Sequence, residues 1–240
     1  MSNAASPTVV LVHGAFADAS SWNGVVERLQ KKGVHVTAPA NPLRGLTSDS
    51  AYIAQVFDEI EGPIVAVGHS YGGAVITNAA AQAENVVGLV YVAAFVPDEG
   101  ERLGEASAAS KDAVLGAALV PHHFPANGGE PGTEFEIDPA KFHEAFAADL
   151  SEEEAAVMAA TQRPVAEAGF SDPSGRAAWK DKPSWAVVAK GDKAAGADVT
   201  RSMAERAGAN ITEVDGSHVI MVSKPQAVAD VILKAVAAAG

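Results

Sequence analysis

Short runs rich in valine and isoleucine recur along the chain, separated by stretches whose apolar residues return with helical spacing. Runs such as Ile64-Val65-Ala66-Val67 are apolar at every position, which suits strands covered on both faces. Six parallel strands are expected at about 8–14, 34–39, 63–69, 86–95, 184–190 and 210–215. Helices are expected at about 20–32, 48–61, 71–84, 198–208 and 223–238. Ser48 and Ser223 are the expected N-caps of two of them, because a hydroxyl can accept from the free amides of a first turn. Strands alternating with helices predict the α/β class: a mainly parallel six-stranded sheet flanked by helices, without additional antiparallel strands at its start.

Between residues 97 and 182 the alternation stops, and the segment is rich in alanine, glutamate, proline and glycine. It is too long for a loop and predicts a helical cap inserted after the fourth strand. The expected organisation is one domain over residues 1–240, with a core at 5–96 and 183–240 and the cap at 97–182. Phe124, Phe135, Phe142, Phe146, Phe170 and Trp179 lie in the cap. Most of these should pack the cap onto the sheet, with some lining a pocket; Phe124 is the candidate for contacting substrate.

At 240 residues and 48% hydrophobic, the chain can bury one full core. Thirty acidic against seventeen basic residues give a formal charge of −13, which argues against nucleic acid and anionic membrane surfaces as partners. The acidic residues are scattered through segments such as Glu152-Glu153-Glu154, which read as a solvated helix face rather than a site. With no cysteine there is no disulfide, no thiolate nucleophile and no cysteine-based metal centre. The residues before Thr8–Val12 hold neither a charged leader nor a long apolar run, so neither a signal peptide nor a membrane span is expected, and the location expected is cytoplasmic.

Gly68-His69-Ser70-Tyr71-Gly72 matches G-x-S-x-G, in which a sharp strand-to-helix turn lifts a serine above the sheet edge. The pattern alone arises by chance in roughly one such chain in eight. Here an apolar strand precedes it and a small-residue helix follows, which makes Ser70 the candidate nucleophile. A serine hydroxyl needs a base within hydrogen-bonding reach. Of seven histidines, His218 lies in the loop after the last expected strand, at the carboxyl end of the sheet. His13 ends the first strand, where an architectural role is expected; His35 heads the second strand; and His122, His123 and His143 fall in the cap. His69 sits inside the turn, pointing away from the serine.

The base in turn needs a carboxylate to hold its tautomer. Asp192 follows the fifth strand and gives the chain order Ser, Asp, His; Asp98, after the fourth strand, is the alternative. Asp215 shares the histidine's loop and has a poor position from which to orient it. Negative charge developing on an attacked carbonyl must meet amide donors. These are expected from the backbones of Ala15 and Tyr71, with the Phe16 ring forming a substrate-binding wall.

At these residues the chain resembles the α/β-hydrolase superfamily, in particular a small bacterial esterase-like branch related to plant methylesterases and hydroxynitrile lyases. The likeness runs from Val12-His13-Gly14-Ala15-Phe16 through the elbow at Gly68–Gly73 to Glu213-Val214-Asp215-Gly216-Ser217-His218. It implies Ser70 as nucleophile, Asp192 as acid, His218 as base, an oxyanion hole at Ala15 and Tyr71, and neither metal nor organic cofactor. Lys193-Ala194-Ala195-Gly196-Ala197 departs from the longer apolar or proline-containing stretch of relatives, and predicts a mobile loop beside the acid. Lyases of the branch carry a threonine in the oxyanion loop and a lysine directly after the histidine; here Gly14 and Val219 stand there, which favours hydrolysis. Dehalogenating relatives need a carboxylate where Ser70 stands.

The resemblance therefore implies a serine hydrolase of small to medium apolar carboxylic esters. Carbon–carbon bond hydrolysis or perhydrolysis by the same three residues, and a non-catalytic ligand receptor, are the alternatives. The expected partner is a small-molecule ester, with a homodimer allowed.

Overall fold

The computed structural model describes residues 6–125 and 129–239; residue 5, where the core was expected to begin, lies outside them. Strand β1 (Thr8–Val12) leads through a 3-10 turn into helix α1 (Asn23–Lys31), then β2 (Val36–Thr37), α2 (Leu46–Asp58), β3 (Ile64–His69), α3 (Tyr71–Ala79) and β4 (Val86–Val92). After the cap segment the chain returns as β8 (Ser184–Ala189), α8 (Ala197–Arg206), β9 (Asn210–Val214), a short α9 (Ile220–Ser223) and α10 (Pro225–Ala239). The six core strands pair in the order β2-β1-β3-β4-β8-β9, every pair parallel.

All six residues of β3 are buried, as its unbroken apolar run requires. Helix α1 packs on α10 and α2 packs on α3, so two helical pairs flank the sheet. The carboxyl ends of the central strands carry the loops that matter: residues 13–18 after β1, Ser70 after β3, 93–98 after β4 and 190–196 after β8. No helix among the described residues is long and apolar enough to cross a membrane.

The cap holds α4 (Leu103–Ala108), β5 (Leu119–Phe124), β6 (Gly132–Ile137), α5 (Pro139–Phe146), α6 (Glu152–Thr161), β7 (Val165–Ala166) and α7 (Ala168–Ser171). Its helices were expected; its three-stranded antiparallel sheet, β5-β6-β7, was not. β5 and β6 are partly exposed while β7 is buried, and they form only because distant segments pair, Leu119 with Ile137 and Phe135 with Val165. The Val165 end of this sheet is stitched to the core where the Ala166 amide donates to the Leu43 carbonyl.

Two caps differ from expectation. Gly45 is the N-cap of α2, and Ser48 lies inside its first turn with its hydroxyl donating to the Gly45 carbonyl. Ser223 ends α9, and α10 begins at Pro225, whose fixed φ and missing amide suit a first helical position.

Candidate active site

Between β3 and α3, Ser70 is held at φ 52° and ψ −123°, a left-handed backbone conformation that a serine adopts only under constraint. Three hydrogen bonds supply the constraint. The Ser70 amide donates to Val92 O at 3.2 Å, and its carbonyl accepts from Gly73 N at 3.0 Å and Phe95 N at 3.2 Å. The flanking glycines are steric requirements: a Cβ at Gly68 would lie 2.4 Å from Gly72 O, and one at Gly72 would lie 2.4 Å from Val12 O. The serine hydroxyl does not cap α3, and the residue is 6% exposed.

His218 follows β9 on its loop and is buried together with Asp192, which follows β8. His218 Nδ1 donates to Asp192 Oδ2 at 2.9 Å, so that Nε2 is the ring nitrogen left free of the carboxylate. The other carboxylate oxygen accepts from the amides of Ala194 and Ala195, at 2.9 and 3.0 Å, and the Ala197 amide donates to the Asp192 carbonyl. The loop 193–197, expected to be mobile, is thus wound around the carboxylate, with Ala194 and Ala195 buried. Asp98 takes no part: it sits at the surface 2.5 Å from Lys180 Nζ, and that contact holds its carboxyl below the usual range. Asp215 is also exposed, paired with Lys190.

The loop after β1 lies directly against the turn at Ser70, since a Cβ at Gly14 would fall 2.7 Å from Ser70 Cβ. Neither the Ala15 nor the Tyr71 amide is taken up by a backbone carbonyl among the described residues, whereas the Phe16 amide donates to Arg163 O at 3.2 Å. Phe16 holds φ 60°, a strained conformation that turns its ring inward. The Tyr71 hydroxyl donates to the buried Asp49 at 2.7 Å, fastening the first residue of α3.

His13 shapes this loop from behind. Its Nε2 accepts from the Asn41 amide at 2.9 Å, so Nδ1 carries the proton and lies 2.9 Å from the Gly14 carbonyl. Burial, the largest influence, pushes its pKa down to about 4. The unfolded chain therefore takes up a proton near pH 6.5 that the folded chain refuses until about pH 4, and stability falls as pH drops through that window. The full loss is about 3 kcal/mol. Burial also drives His69 well below its ordinary value, which adds to the same trend. Urea unfolding from pH 7.5 to 4 should show this decline, with a shallower slope in His13→Gln; equal slopes would remove His13 as a source.

An aromatic wall covers the histidine. The Phe146 ring lies 5.0 Å from that of His218 and meets Phe16 edge-on at 6.1 Å; Phe170 stacks on Phe16 at 6.4 Å and meets Tyr71 at 6.5 Å. Phe16 packs against Phe146, whose ring lies against His218, whereas Phe124 stands elsewhere. Phe124 packs across from Gly132 in the cap sheet, under the Arg44 guanidinium, beside a shallow pocket with His123 and Pro131. Phe146 and Phe170 stand where Phe124 was expected. The four-residue spacing of Phe142 and Phe146, both buried on α5, is a signal that points to Phe146; Phe170 has none. Beyond Phe170 opens a cleft of about 650 Å³, lined by apolar residues such as Val114, Leu115 and Leu119 together with the charged Arg102, Glu105 and Glu167.

Comparison with known proteins agrees with this architecture. The carbendazim hydrolyzing esterase of Nocardioides sp. (strain SG-4G) is 36% identical over 107 residues, 39% of this chain; the match spans only 44% of that protein's length. The crystal structure of polyneuridine aldehyde esterase superposes with a TM-score of 0.81 at 20% identity, covering 96% of this chain and 99% of that one. A pyrethroid hydrolase from Sphingobium faniae JZ-2 gives 0.77 at 19% identity over 97% and 98% of the two chains. Such identities speak for the fold alone. The model of the alpha/beta hydrolase family, however, matches residues 9–231, nearly the whole parallel sheet with its cap, and the chain belongs to that family.

Proposed function

We propose that this protein is a serine hydrolase cleaving small to medium apolar carboxylic esters through an acyl-enzyme. The observation that carries the reading is the buried His218–Asp192 hydrogen bond at the carboxyl edge of the sheet whose β3 presents Ser70 on a strained turn. His218 Nε2 takes the proton of Ser70 Oγ as that oxygen attacks the ester carbonyl. The amides of Ala15 and Tyr71 receive the oxyanion. Asp192 stays ionised and balances the imidazolium. His218 then returns the proton to the departing alkoxide; water, activated by the same imidazole, releases the acid.

Two features support an ester rather than a cyanohydrin. Val219, directly after His218, is buried and apolar, so no cation there meets a departing cyanide. The aromatic wall, Phe16, Phe146 and Phe170, suits an apolar substrate. The relatives named esterases and hydrolases point the same way.

The test is a panel of p-nitrophenyl esters from acetate to long acyl chains, run beside covalent labelling with a fluorophosphonate. The expected result is turnover with an optimum in acyl length, and a label that peptide mapping places on Ser70. A folded protein that takes no label and turns over no ester would sink the proposal.

A further inference from the structure

We infer that His69, the residue before Ser70, is a positioning residue that sets the distance between nucleophile and base; the inference rests on the serine-hydrolase reading. Its side chain points away from the serine, and what it meets there is the base loop. His69 is fully buried, and its Nε2 lies 3.0 Å from the main-chain carbonyl of His218. A carbonyl can only accept, so Nε2 carries the proton and the ring is locked in one neutral tautomer. The two imidazole rings lie 4.7 Å apart between centroids.

Several contacts hold the base loop, and three of them reach it from parts of the molecule near the site. Asp192 grips the His218 imidazole from β8, Asp149 in the cap accepts from the Ser217 hydroxyl, and His69 donates to the His218 backbone. Among these three, only His69 belongs to the strand that carries the nucleophile. One peptide bond links it to Ser70 and one hydrogen bond links it to His218, a direct mechanical path between the two reacting groups.

The cost of this arrangement argues that the hydrogen bond is its purpose. Among the described residues His69 Nδ1 is buried without a partner, against Gly14 and edge-on to Trp22. A residue serving only to fill space would carry no such orphaned acceptor. Burial, reinforced by repulsion from a proton on His218, keeps the ring neutral, so it can donate through Nε2 without competing as a base.

The test compares His69→Leu, His69→Gln and His69→Asn with wild type on the best ester of the panel, reading kcat and KM separately together with the fluorophosphonate labelling rate and Tm. A displacement of the base by about 1 Å lowers kcat by about 100-fold, so kcat and labelling should fall by about that much in His69→Leu with KM within about threefold. His69→Gln, whose amide N–H reaches about as far as Nε2, should stay within about tenfold of wild type; the shorter His69→Asn should behave like His69→Leu. Wild-type kcat in His69→Leu, or equal losses in Gln and Asn, would overturn the inference whatever happens to Tm. If His69→Leu does not fold, the Gln and Asn pair decides alone. A wild-type protein that neither turns over ester nor takes the label would overturn the hydrolase reading, and this inference with it.

Discussion

Ser70→Ala is expected to lower kcat by about 10⁴- to 10⁶-fold while leaving the fold intact. The substitution removes only Oγ, which caps nothing, and the hydrogen bonds that hold the turn run through the backbone of residue 70 and survive. Alanine at φ 52° is strained to about the same degree as serine, so Tm should move by only a degree or two. His218→Ala should cost a similar factor, and the double variant little more than either single one, because the proton transfer needs both partners at once. Turnover of the best p-nitrophenyl ester, measured beside far-UV circular dichroism, checks all three. Residual activity in Ser70→Ala above a few per cent would mean that another group performs the attack. Strictly additive losses in the double variant would mean that Ser70 and His218 do not work as one unit.

Gly72→Ala is expected to be among the most damaging single-methyl changes in the core. The added Cβ would lie 2.4 Å from Val12 O and 2.9 Å from His13 O, both of them backbone atoms that cannot rotate away. Relief requires β1 to retreat from α3 or the turn to open, and either movement breaks close packing along the middle of the sheet. The expected destabilisation exceeds about 3 kcal/mol, a drop in Tm of roughly 6–12 °C for a chain of this size. Because Val12 and His13 lead into the loop carrying Ala15, any folded fraction should also lose turnover. Gly116→Ala is the control, since a Cβ there meets nothing within 4 Å and the change should stay within about 0.5 kcal/mol. Urea unfolding of both variants makes the comparison, and wild-type stability in Gly72→Ala would refute the steric account of the elbow.

Much of this was legible in the chain because it depends on neighbours in sequence. An apolar run such as 64–67 can satisfy its side chains only as a buried strand. The spacing Gly68-x-Ser70-x-Gly72 reflects a local clash that only glycine avoids. The order Ser70, Asp192, His218 follows from the order of the strands whose ends carry them. Local rules failed where the deciding partner is distant. Asp192 and Asp98 look alike in sequence, each following a strand and opening a turn, and they are told apart only by which lies against His218 and which faces Lys180. The alanine-rich loop 193–197 reads as loose until the carboxylate that binds its amides is in place.

By itself, then, the sequence determined the parallel sheet, the strained turn at Ser70, and the place of a late histidine, His218, in the loop after the last strand. These follow from side-chain period, glycine sterics and strand order, which act over a few residues or along the chain. Tertiary structure alone decided the cap's antiparallel sheet, the replacement of Phe124 by Phe146 and Phe170 at the site, the choice of Asp192, and the contact of His69 with the base loop. Each of these depends on a hydrogen bond or a packed ring between residues far apart in the chain, such as His69 and His218. Such contacts leave no local pattern, because their partners become neighbours only when the sheet closes.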